Sequence, residues 1–320
     1  MLTTEQSECL ICQAKLKAVG KSYDIDELFR LWLPVEFSQT TVNEHRHVAN
    51  ATQLYCCPKC GLETFLPQII GSPAFYVEAY NLTGTQSTSE FTYSVDKWDF
   101  EQAAMDAQRR KRIFEFGCGN GNFLSRIRNT TSEVAGLEYN PAAVITARGK
   151  GLRVYSLDDG THAFGNDWDA AFSFHVLEHV ADPVSFVRAM ADTVKKNDGV
   201  IGISVPNQDG PIRYIEPCVM NMPPHHATRW RLSTFEALAK RLNLVISRVA
   251  YEPLLLENHS YYSVHWVRTL LPQPSFAGKI LRFCLSAMLR LFFGGLRRIG
   301  VKHFPLLKGQ SIYVSMTHMK

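Results

Sequence analysis

Short apolar runs alternate with amphipathic stretches between residues 112 and 317 of this chain. The apolar runs are rich in Val, Ile and Phe, which favours β-strands, and most stretches between them have the period of an amphipathic helix. The predicted strands span residues 112–116, 133–138, 152–156, 169–174, 200–205, 244–251 and 311–317. The predicted helices span residues 122–129, 141–149, 183–195 and 234–242. This alternation predicts an α/β fold with a doubly wound, Rossmann-like sheet of seven strands.

The region before residue 97 has weaker periodicity and a different composition. We predict a small zinc-ribbon-like module at residues 1–70 and a connector with scattered Gly, Ser and Thr at residues 71–96. The α/β domain is predicted at residues 97–320, with a basic, apolar insertion at about 259–308 before the last strand. The chain has 320 residues, of which 46% are hydrophobic, so it is long enough for this core and neither fibrous nor disordered in composition.

Three glycines follow the first predicted strand at alternate positions. Gly117, Gly119 and Gly121 lie where the strand turns into a helix, shortly after Glu115. Glycine allows such a turn to be tight and lets a ligand approach the backbone closely, although a turn without a ligand is the alternative. The spacing is G-x-G-x-G, whereas a dinucleotide fingerprint requires G-x-G-x-x-G, so a nicotinamide cofactor is the weaker interpretation. Glu138 ends the second strand, where an acidic side chain accepts hydrogen bonds from ribose hydroxyls.

Two histidine-containing segments follow later strands, at the edge of the sheet where open α/β folds bind their ligands. His175, Glu178 and His179 follow the fourth strand, and His225 and His226 come after the fifth. The first segment has the letters of an inverted zinc-peptidase motif, but that motif needs both histidines inside a helix. A histidine whose pKa is near neutrality suits proton transfer, so both segments are candidates for acid–base chemistry. The alternative is that Glu178 and His179 only cap and orient the next helix.

Four cysteines form two C-x-x-C pairs in the N-terminal region: Cys9, Cys12, Cys57 and Cys60. Four thiolates make a closed tetrahedral site without an open coordination position, which predicts a structural Zn²⁺. His45, His47 and Cys56 are alternative ligands, and reduced cysteines without metal are the other interpretation. Such cysteine usage is typical of an intracellular protein, and residues 1–15 lack the apolar stretch of a secretory signal, so we expect a cytoplasmic location.

The net charge of +4 hides an uneven distribution. No Asp or Glu follows Glu257, while nine Lys or Arg do. A predicted helix at residues 279–298 is mostly apolar apart from one polar stripe, made of Lys279, Arg282, Ser286, Arg290 and Arg297. The arginines exclude a membrane-spanning helix. Peripheral contact with the inner face of the membrane or with a lipid-linked substrate is one interpretation, and packing on the core or in a dimer interface is the other.

The motifs at the strand ends together resemble class I S-adenosylmethionine-dependent methyltransferases over about residues 97–251. The motifs are residues 115–121 at the first strand, Glu138 at the second, residues 169–183 at the fourth and residues 199–207 at the fifth. The subgroup resembled contains quinone-biosynthesis O-methyltransferases and many sugar or secondary-metabolite methyltransferases. The resemblance implies S-adenosylmethionine as cofactor, bound by Glu115, Gly117, Cys118, Gly119, Gly121, Glu138, Tyr139, Leu157, Asp158 and His175.

The same resemblance implies a role for individual members of that set. Glu115, Gly117 and Gly119 would contact the methionine part of the cofactor and Glu138 its ribose. Leu157 or Asp158 would contact the adenine, and His175 the flank of the cofactor. In the similar quinone methyltransferases the position of His175 holds a Glu, and a divalent metal can bind there. Because His175 departs from that pattern, no metal is expected at this segment.

The similar sugar C-methyltransferases also have an N-terminal zinc unit, and histidines near positions 179 and 226 serve in proton transfer. This implies His179 or His226 as the base, and a substrate pocket with Tyr76, Tyr80, Glu178 and His225. The expected activity is methyl transfer to an oxygen or carbon of a small molecule, such as a sugar, a surface-polysaccharide precursor or a secondary metabolite. The alternatives are a zinc-ribbon methyltransferase that binds nucleic acid, disfavoured because no Asn-Pro-Pro-Tyr motif follows the fourth strand, and a cofactor-binding protein without turnover.

Overall fold

Two β-sheets organise the chain in the computed structural model, which describes residues 8–33, 35–81, 97–156, 159, 165–271 and 275–319. The N-terminal elements are β1 (Lys17–Asp24), α1 (Ile25–Arg30), α2 (Gln39–Val48), β2 (Ala51–Cys56), β3 (Glu63–Leu66) and α3 (Pro73–Asn81). The following elements are α4 (Trp98–Ala107), β4 (Arg112–Phe116), α5 (Asn122–Ile127), β5 (Glu133–Leu137), α6 (Pro141–Gly149), β6 (Arg153–Tyr155), β7 (Ala170–Phe174), α7 (Pro183–Thr193) and β8 (Val200–Pro206). The last are β9 (Thr228–Arg229), α8 (Leu232–Arg241), β10 (Leu244–Leu255), α9 (His259–Leu270), α10 (Phe276–Arg298) and β11 (His303–His318).

The larger sheet has seven strands in the order β10-β11-β8-β7-β4-β5-β6. Strands β4 to β8 are parallel to one another, and β11 is inserted antiparallel between β8 and β10. The chain starts in the middle of the sheet at β4, extends outward through β5 and β6, and returns to the other side at β7. The crevice at the carboxyl ends of β4 and β7 is therefore the point where an open α/β sheet binds its ligand. The predicted doubly wound fold is confirmed.

The two last strands of this sheet are longer than the sequence pattern predicted. Strand β10 continues to Leu255 and β11 begins at His303, because the two strands pair with each other beyond the rest of the sheet, for example at Leu254 opposite Phe304. This extension carries α9 and α10. Leu254, Leu256, Tyr262 and Phe293 form a small core of their own beneath the two helices.

The smaller sheet joins the N-terminal module to the α/β domain. Its order is β1-β2-β3-β9, so three strands come from the module and the fourth follows His226 in the chain. Thr64 pairs with Thr228 and Glu63 with Arg229. Cys9, Cys57 and Cys60 belong to the same apolar cluster as buried side chains of β8, β11 and α8. The module and the segment around residue 226 are therefore packed as one unit.

Three local features differ from the sequence pattern. Helix α3 occupies part of the predicted connector, and α4 precedes the first strand where no helix was predicted. Ser233 and Glu236 have the S-x-x-E spacing that predicts a capping box, but this prediction is wrong, since no side chain caps the start of α8. Instead, the hydroxyls of Ser233 and Thr234 donate to the carbonyl oxygen of Cys60 at 2.9 and 3.0 Å. This contact ties α8 to the second cysteine pair.

Candidate functional site

The glycine loop lies at the carboxyl end of β4 and has a backbone that only glycine adopts without strain. Gly117, Gly119 and Gly121 have φ of +72°, +50° and +71°. A Cβ on Gly117 would lie 2.4 Å from Cγ2 of Val176, which is far inside van der Waals contact. Val176 belongs to the segment with His175, Glu178 and His179. The structure therefore packs the loop directly against that segment, as expected from their positions at neighbouring strand ends.

Glu115 presents one carboxyl oxygen without a hydrogen-bond partner beneath this loop. The residue is 3% exposed, and its Oε2 atom has no hydrogen-bond partner among the residues that the structure describes. Burial raises the pKa of Glu115 well above its usual range, and the nearby carboxylate of Glu138 adds to the shift, while Lys97 opposes it. A buried acceptor of this kind fits a ligand that carries a positive charge or hydrogen-bond donors.

Glu138 lies just after β5 and closes the other side of the loop. Its Oε2 atom accepts a hydrogen bond from the backbone N–H of Gly119 at 2.7 Å. Its Oε1 atom accepts from the backbone N–H groups of Tyr139 and Asn140, both at 2.8 Å. The carboxylate is thus fixed beside the loop with lone pairs left for the hydroxyls of a ribose.

The other predicted cofactor residues fall into three groups. Cys118 is buried against Gly136, where a Cβ would meet Cys118 Sγ at 2.7 Å, so Cys118 fills the space between loop and sheet. The side chain of Tyr139 is exposed at the mouth of the crevice. Leu157 and Asp158 lie outside the described residues.

His175 is held in an ion pair that sequence analysis did not find. It has φ of +54°, and its Nε2 atom lies 2.9 Å from Oδ2 of Asp99 in α4. Burial lowers the pKa of His175, but the carboxylate of Asp99 outweighs this and raises the pKa to about 10. Although burial disfavours its charge, the pKa of Asp99 is lowered by His175 and by the hydroxyl of Ser204, which donates at 2.6 Å. At neutral pH the pair is therefore an imidazolium and a carboxylate.

Glu178 is the centre of a cluster of histidines. It is 1% exposed, and neither carboxylate oxygen has a hydrogen-bond partner in the described part of the chain. Its Oε1 atom lies 3.5 Å from Nδ1 of His175, 3.9 Å from Nε2 of His179 and 3.8 Å from Nε2 of His226. The sequence predicted these residues near one crevice, and the structure brings all of them around one carboxylate.

His179 is oriented by the backbone carbonyl of His225. The Nδ1 atom of His179 lies 2.5 Å from that oxygen, and because a carbonyl only accepts, Nδ1 carries the proton. The hydroxyl of Tyr76 donates to the same carbonyl at 3.1 Å and lies 3.0 Å from Nδ1. This leaves Nε2 of His179 as a lone-pair acceptor on the side of Glu178. Tyr76, predicted to line the substrate pocket, therefore lies against His179 and the carbonyl of His225. The side chain of Tyr80, in the same helix, lies outside the description.

His225 and His226 are buried more deeply than His179. Their rings stack at 4.4 Å, and each lies within 4.8 Å of the ring of His179. Burial lowers the pKa of both well below the usual range, and neighbouring histidines lower it further, so both are neutral at physiological pH. The backbone here is held by the module, because the N–H of Phe65 donates to Ala227 and that of Gly71 to Pro224.

Two sets of side chains have the composition of a metal site. Cys9, Cys12, Cys57 and Cys60 place their sulfur atoms within 4.8 Å of one another, with Cys9 3.5 Å from Cys60 and Cys12 3.4 Å from Cys57. Sulfur atoms around a tetrahedral Zn²⁺ have separations of roughly this size. The second set is His179, His225 and His226.

The alternative zinc ligands that the sequence left open do not join the four cysteines. His45 is buried elsewhere, where it bonds to the carbonyl of Thr41 and accepts from the N–H of Ser72. His47 is exposed on α2. The thiol of Cys56 is directed to the carbonyl of Cys57 and lies outside the group of four sulfur atoms.

Asp99, Lys97 and Asn221 are site residues that sequence analysis missed. The side chain of Asn221 lies 3.4 Å from Nδ1 of His226. Burial lowers the pKa of Lys97, while the negative charges of Asp99, Glu115 and Glu178 act in the opposite direction. The only local signal was a lysine and an aspartate, Lys97 and Asp99, at the start of a helix. Such pairs are common on protein surfaces.

Comparison with known proteins gives one family and several relatives. The family model described as "Methyltransferase domain" matches residues 99–249. The ubiquinone biosynthesis O-methyltransferase of Ruegeria pomeroyi is 31% identical over 91 residues, which cover 26% of this chain and 37% of that protein. The one from Xanthomonas oryzae pv. oryzae is 30% identical over 105 residues, which cover 30% of this chain and 44% of that protein. The matches therefore span less than half the length of these relatives.

Among solved structures, an S-adenosylmethionine-dependent methyltransferase from Archaeoglobus fulgidus superposes with a TM-score of 0.44 and 16% identity, over 68% of this chain and 90% of that one. The strand order of the larger sheet, with β11 antiparallel between β8 and β10, places the glycine loop at the switch point. The family match over residues 99–249 and this strand order identify the α/β domain as a class I S-adenosylmethionine-dependent methyltransferase domain.

Proposed function

We propose that this protein transfers a methyl group from S-adenosylmethionine to an oxygen or carbon atom of a small molecule, with His179 as the general base. The observation that carries the proposal is the contact between the glycine loop and the histidine cluster. Val176 packs against Gly117 of the loop, and it precedes Glu178 by two positions and His179 by three. A donor and an acceptor bound on the two sides of Val176 would be adjacent.

The residues present fit the cofactor. The positive-φ glycines and the absence of a Cβ at Gly117 keep the loop open, and the unpartnered Oε2 of Glu115 fits the ammonium group of the methionine part. Glu138 is fixed by Gly119 in a position for the ribose hydroxyls. When bound, S-adenosylmethionine supplies a methyl group that its sulfonium centre has already activated. The protein then needs to align the acceptor and remove one proton.

His179 suits proton removal better than His226. Its side chain is 21% exposed, against 5% for His226, so an acceptor can reach it. The carbonyl of His225 holds the proton of His179 on Nδ1 and leaves Nε2 free to accept. The pKa of His226 is lowered well below its usual range by burial, which makes that imidazole a poor base. We assign His226 and His225 to the wall of the acceptor pocket.

The charges around His179 favour the protonated form that follows proton removal. Glu178 lies 3.9 Å from Nε2 of His179. His175 carries a positive charge, but Asp99 neutralises it at 2.9 Å, so the carboxylate of Glu178 is left to stabilise an imidazolium on His179. Such preorganised charge acts strongly in a site from which water is excluded.

The acceptor is proposed to be a sugar, a surface-polysaccharide precursor or a secondary metabolite with an acidic hydroxyl or carbon. The relatives named above are ubiquinone biosynthesis O-methyltransferases, so a phenolic hydroxyl belongs to the same range of acceptors. Zn²⁺ in the four-cysteine site is proposed to be structural, and no nucleic-acid substrate is proposed. We propose a cytoplasmic location with peripheral contact at the inner face of the membrane.

Methyl transfer can be tested with the zinc-loaded full chain and methyl-labelled S-adenosylmethionine, offered with phenols, nucleotide sugars and extracted metabolites. Label should appear in a small-molecule product. His179→Ala should lose at least about a hundredfold in kcat, because a positioned general base contributes about 10²–10⁴. His47→Ala, which changes an exposed histidine on α2, should retain full activity. If His179→Ala kept the activity of the parent protein, the assignment of the base would be wrong.

A further inference from the structure

Helix α10 presents an apolar face to solvent. Phe283 is 75% exposed and Leu291 76%, and the same outward side of the helix and its flanks carries Phe276, Ile280, Leu281, Met288, Phe292 and Ile299. The inward side is defined by the buried residues Ser286 and Phe293. Half of the exposed large apolar side chains among the described residues lie between residues 259 and 308. An exposed apolar surface of this extent on one helix indicates an interaction site.

The polar stripe predicted for this helix is divided between two sides. Ser286 is buried, and the guanidinium of Arg282 turns inward and donates to the carbonyl of Leu271. Packing on the core therefore accounts for Ser286 and Arg282. This packing leaves the apolar face uncovered. The exposed residues Arg290 and Arg297 lie at the margin of that face.

A basic cleft of about 470 Å³ lies at the C-terminal end of the helix, where Arg290, Arg297, Arg298 and His259 surround Gly294 and Gly295. Two glycines inside a helix cost roughly 1 kcal/mol each relative to alanine, and their missing side chains create the space between the cations. A Cβ on Gly295 would meet no atom within 4 Å, and one on Gly294 would lie 3.6 Å from Nε2 of His259. Nδ1 of His259 donates to the carbonyl of Leu256 at 2.6 Å, so the opposite ring nitrogen, Nε2, lies at the cleft.

The positive charge of the segment after Glu257 favours an anionic partner. No Asp or Glu follows Glu257 in the sequence, so the three guanidiniums of the cleft have no carboxylate from their own segment. Guanidinium groups bind phosphate oxygens in a bidentate manner. The cleft and the apolar face share Leu291, so a ligand with a phosphate and an apolar body would contact both. In the described ranges no helix is long and apolar enough to cross a membrane.

The geometry points to an anionic phospholipid bilayer as the partner of α10: the apolar face enters the interface and the cleft around Gly294 and Gly295 holds a lipid phosphate. A helix that lies in the plane of the interface has this combination of a wide apolar side and basic residues at its margin. The inference specifies the membrane contact proposed above. It is independent of the methyl-transfer chemistry, because none of the residues involved belongs to the cofactor or acceptor site.

Co-sedimentation with vesicles tests this inference. The full chain should bind phosphatidylcholine vesicles that contain one quarter phosphatidylglycerol at least about tenfold more tightly than vesicles of phosphatidylcholine alone, and high salt should weaken binding. Arg290→Glu with Arg297→Glu should reduce the affinity for anionic vesicles by at least about thirtyfold, since each cation near such a surface contributes a factor of about five to six. The matched control is Lys17→Glu with Arg109→Glu, which changes two exposed cations elsewhere by the same charge and should bind normally.

A second pair of variants examines the apolar face. Phe283→Ser with Leu291→Ser should also lose vesicle binding, whereas Ile145→Ser, an equally exposed apolar residue on α6, should not. Affinity for S-adenosylhomocysteine should be unchanged in all variants, which separates this inference from the proposed function. Equal binding to neutral and anionic vesicles would overturn the inference. So would tight binding of inorganic diphosphate without vesicle binding, or a dimer in sedimentation analysis that Phe283→Ser with Leu291→Ser dissociates.

Discussion

The proposed cofactor half of the site comes from one short stretch of chain, whereas the proposed acceptor half is assembled from three distant segments. Glu115, the glycine loop and Glu138 lie within two consecutive strand ends. The acceptor half combines Tyr76 from α3, Glu178 with His179 after β7, and the loop of His225 and His226. The first half depends on local backbone conformation, and the second depends on contacts between the N-terminal module and the α/β domain.

This difference predicts that the two halves can be disabled separately. Strand β3 of the module pairs with β9, and the carbonyl of Cys60 accepts from Ser233 and Thr234, so the module determines where the loop of His226 lies. Among the described residues, the module makes no hydrogen bond with Glu138, whose partners are Gly119, Tyr139 and Asn140. Damage to the module should therefore abolish turnover without abolishing cofactor binding.

The largest effect is expected from Cys60→Ser. Loss of one of four thiolates should release Zn²⁺, loosen the second cysteine pair and displace the acceptor loop. We expect kcat/KM to fall by more than about a hundredfold, because a misplacement of about 1 Å in a site can cost about a hundredfold. Metal analysis and methyl-transfer kinetics measure the two changes. Cys56→Ser is the control, because Cys56 lies next to the site but outside the group of four sulfur atoms.

Retained affinity for S-adenosylhomocysteine, within about threefold by calorimetry, would show that the Cys60→Ser protein is folded and that only the acceptor half has failed. Loss of both activities together would mean that the two halves are not separable in this way.

A smaller effect, confined to the other half, is expected from Gly117→Ala. The new methyl group meets Val176 at 2.4 Å and the residue must keep φ of +72°, so the loop has to shift. Affinity for S-adenosylhomocysteine should fall by about a hundredfold, since left-handed conformation alone costs a non-glycine residue roughly 1–2 kcal/mol. Gly149→Ala is the matched control, because a Cβ there meets nothing within 4 Å. Equal affinity in the two variants would show that the loop does not hold the cofactor.

The smallest effect concerns the ion pair between the halves. The pKa of His175 is raised to about 10, so its contribution to stability is complete below the unfolded value near 6.5 and is lost as the pH rises through about 10. Asp99→Asn should therefore lower the Tm at pH 6 by about 2–4 °C, with a difference from the parent protein that shrinks towards pH 10. The control Asp182→Asn, at the N-cap of α7, should change Tm by the same amount at both pH values. A pH-independent difference for Asp99→Asn would contradict the charge assigned to His175.

Sequence patterns predicted the local structure of the proposed cofactor half well because its signals are local. Strand β4 forms over the predicted residues 112–116, and the positive φ of Gly117 follows from its place at a strand-to-helix turn. Glu138 was likewise placed by its position at the end of the second strand. In each case the residue type indicates the conformation of its own backbone or of the adjacent residues.

For the proposed acceptor half, the sequence offered candidate residues but gave no signal of how they are arranged. That His175 pairs with Asp99, 76 positions earlier in the chain, depends on how α4 packs on the sheet. Ser233 donates to the carbonyl of Cys60, and not to its own helix, because the N-terminal module packs against the start of α8. The outward direction of the apolar face of α10 also has no local signal, because hydrophobic periodicity gives the width of a face and not its partner.

The most direct test of the account is a calorimetric titration of the zinc-loaded protein with S-adenosylhomocysteine. We expect one binding site per chain and an affinity that Glu138→Gln reduces by about tenfold, because a neutral amide is a weaker acceptor for two ribose hydroxyls than a carboxylate. Absence of binding by the parent protein, or unchanged binding by Glu138→Gln, would contradict the cofactor site described between β4 and β5.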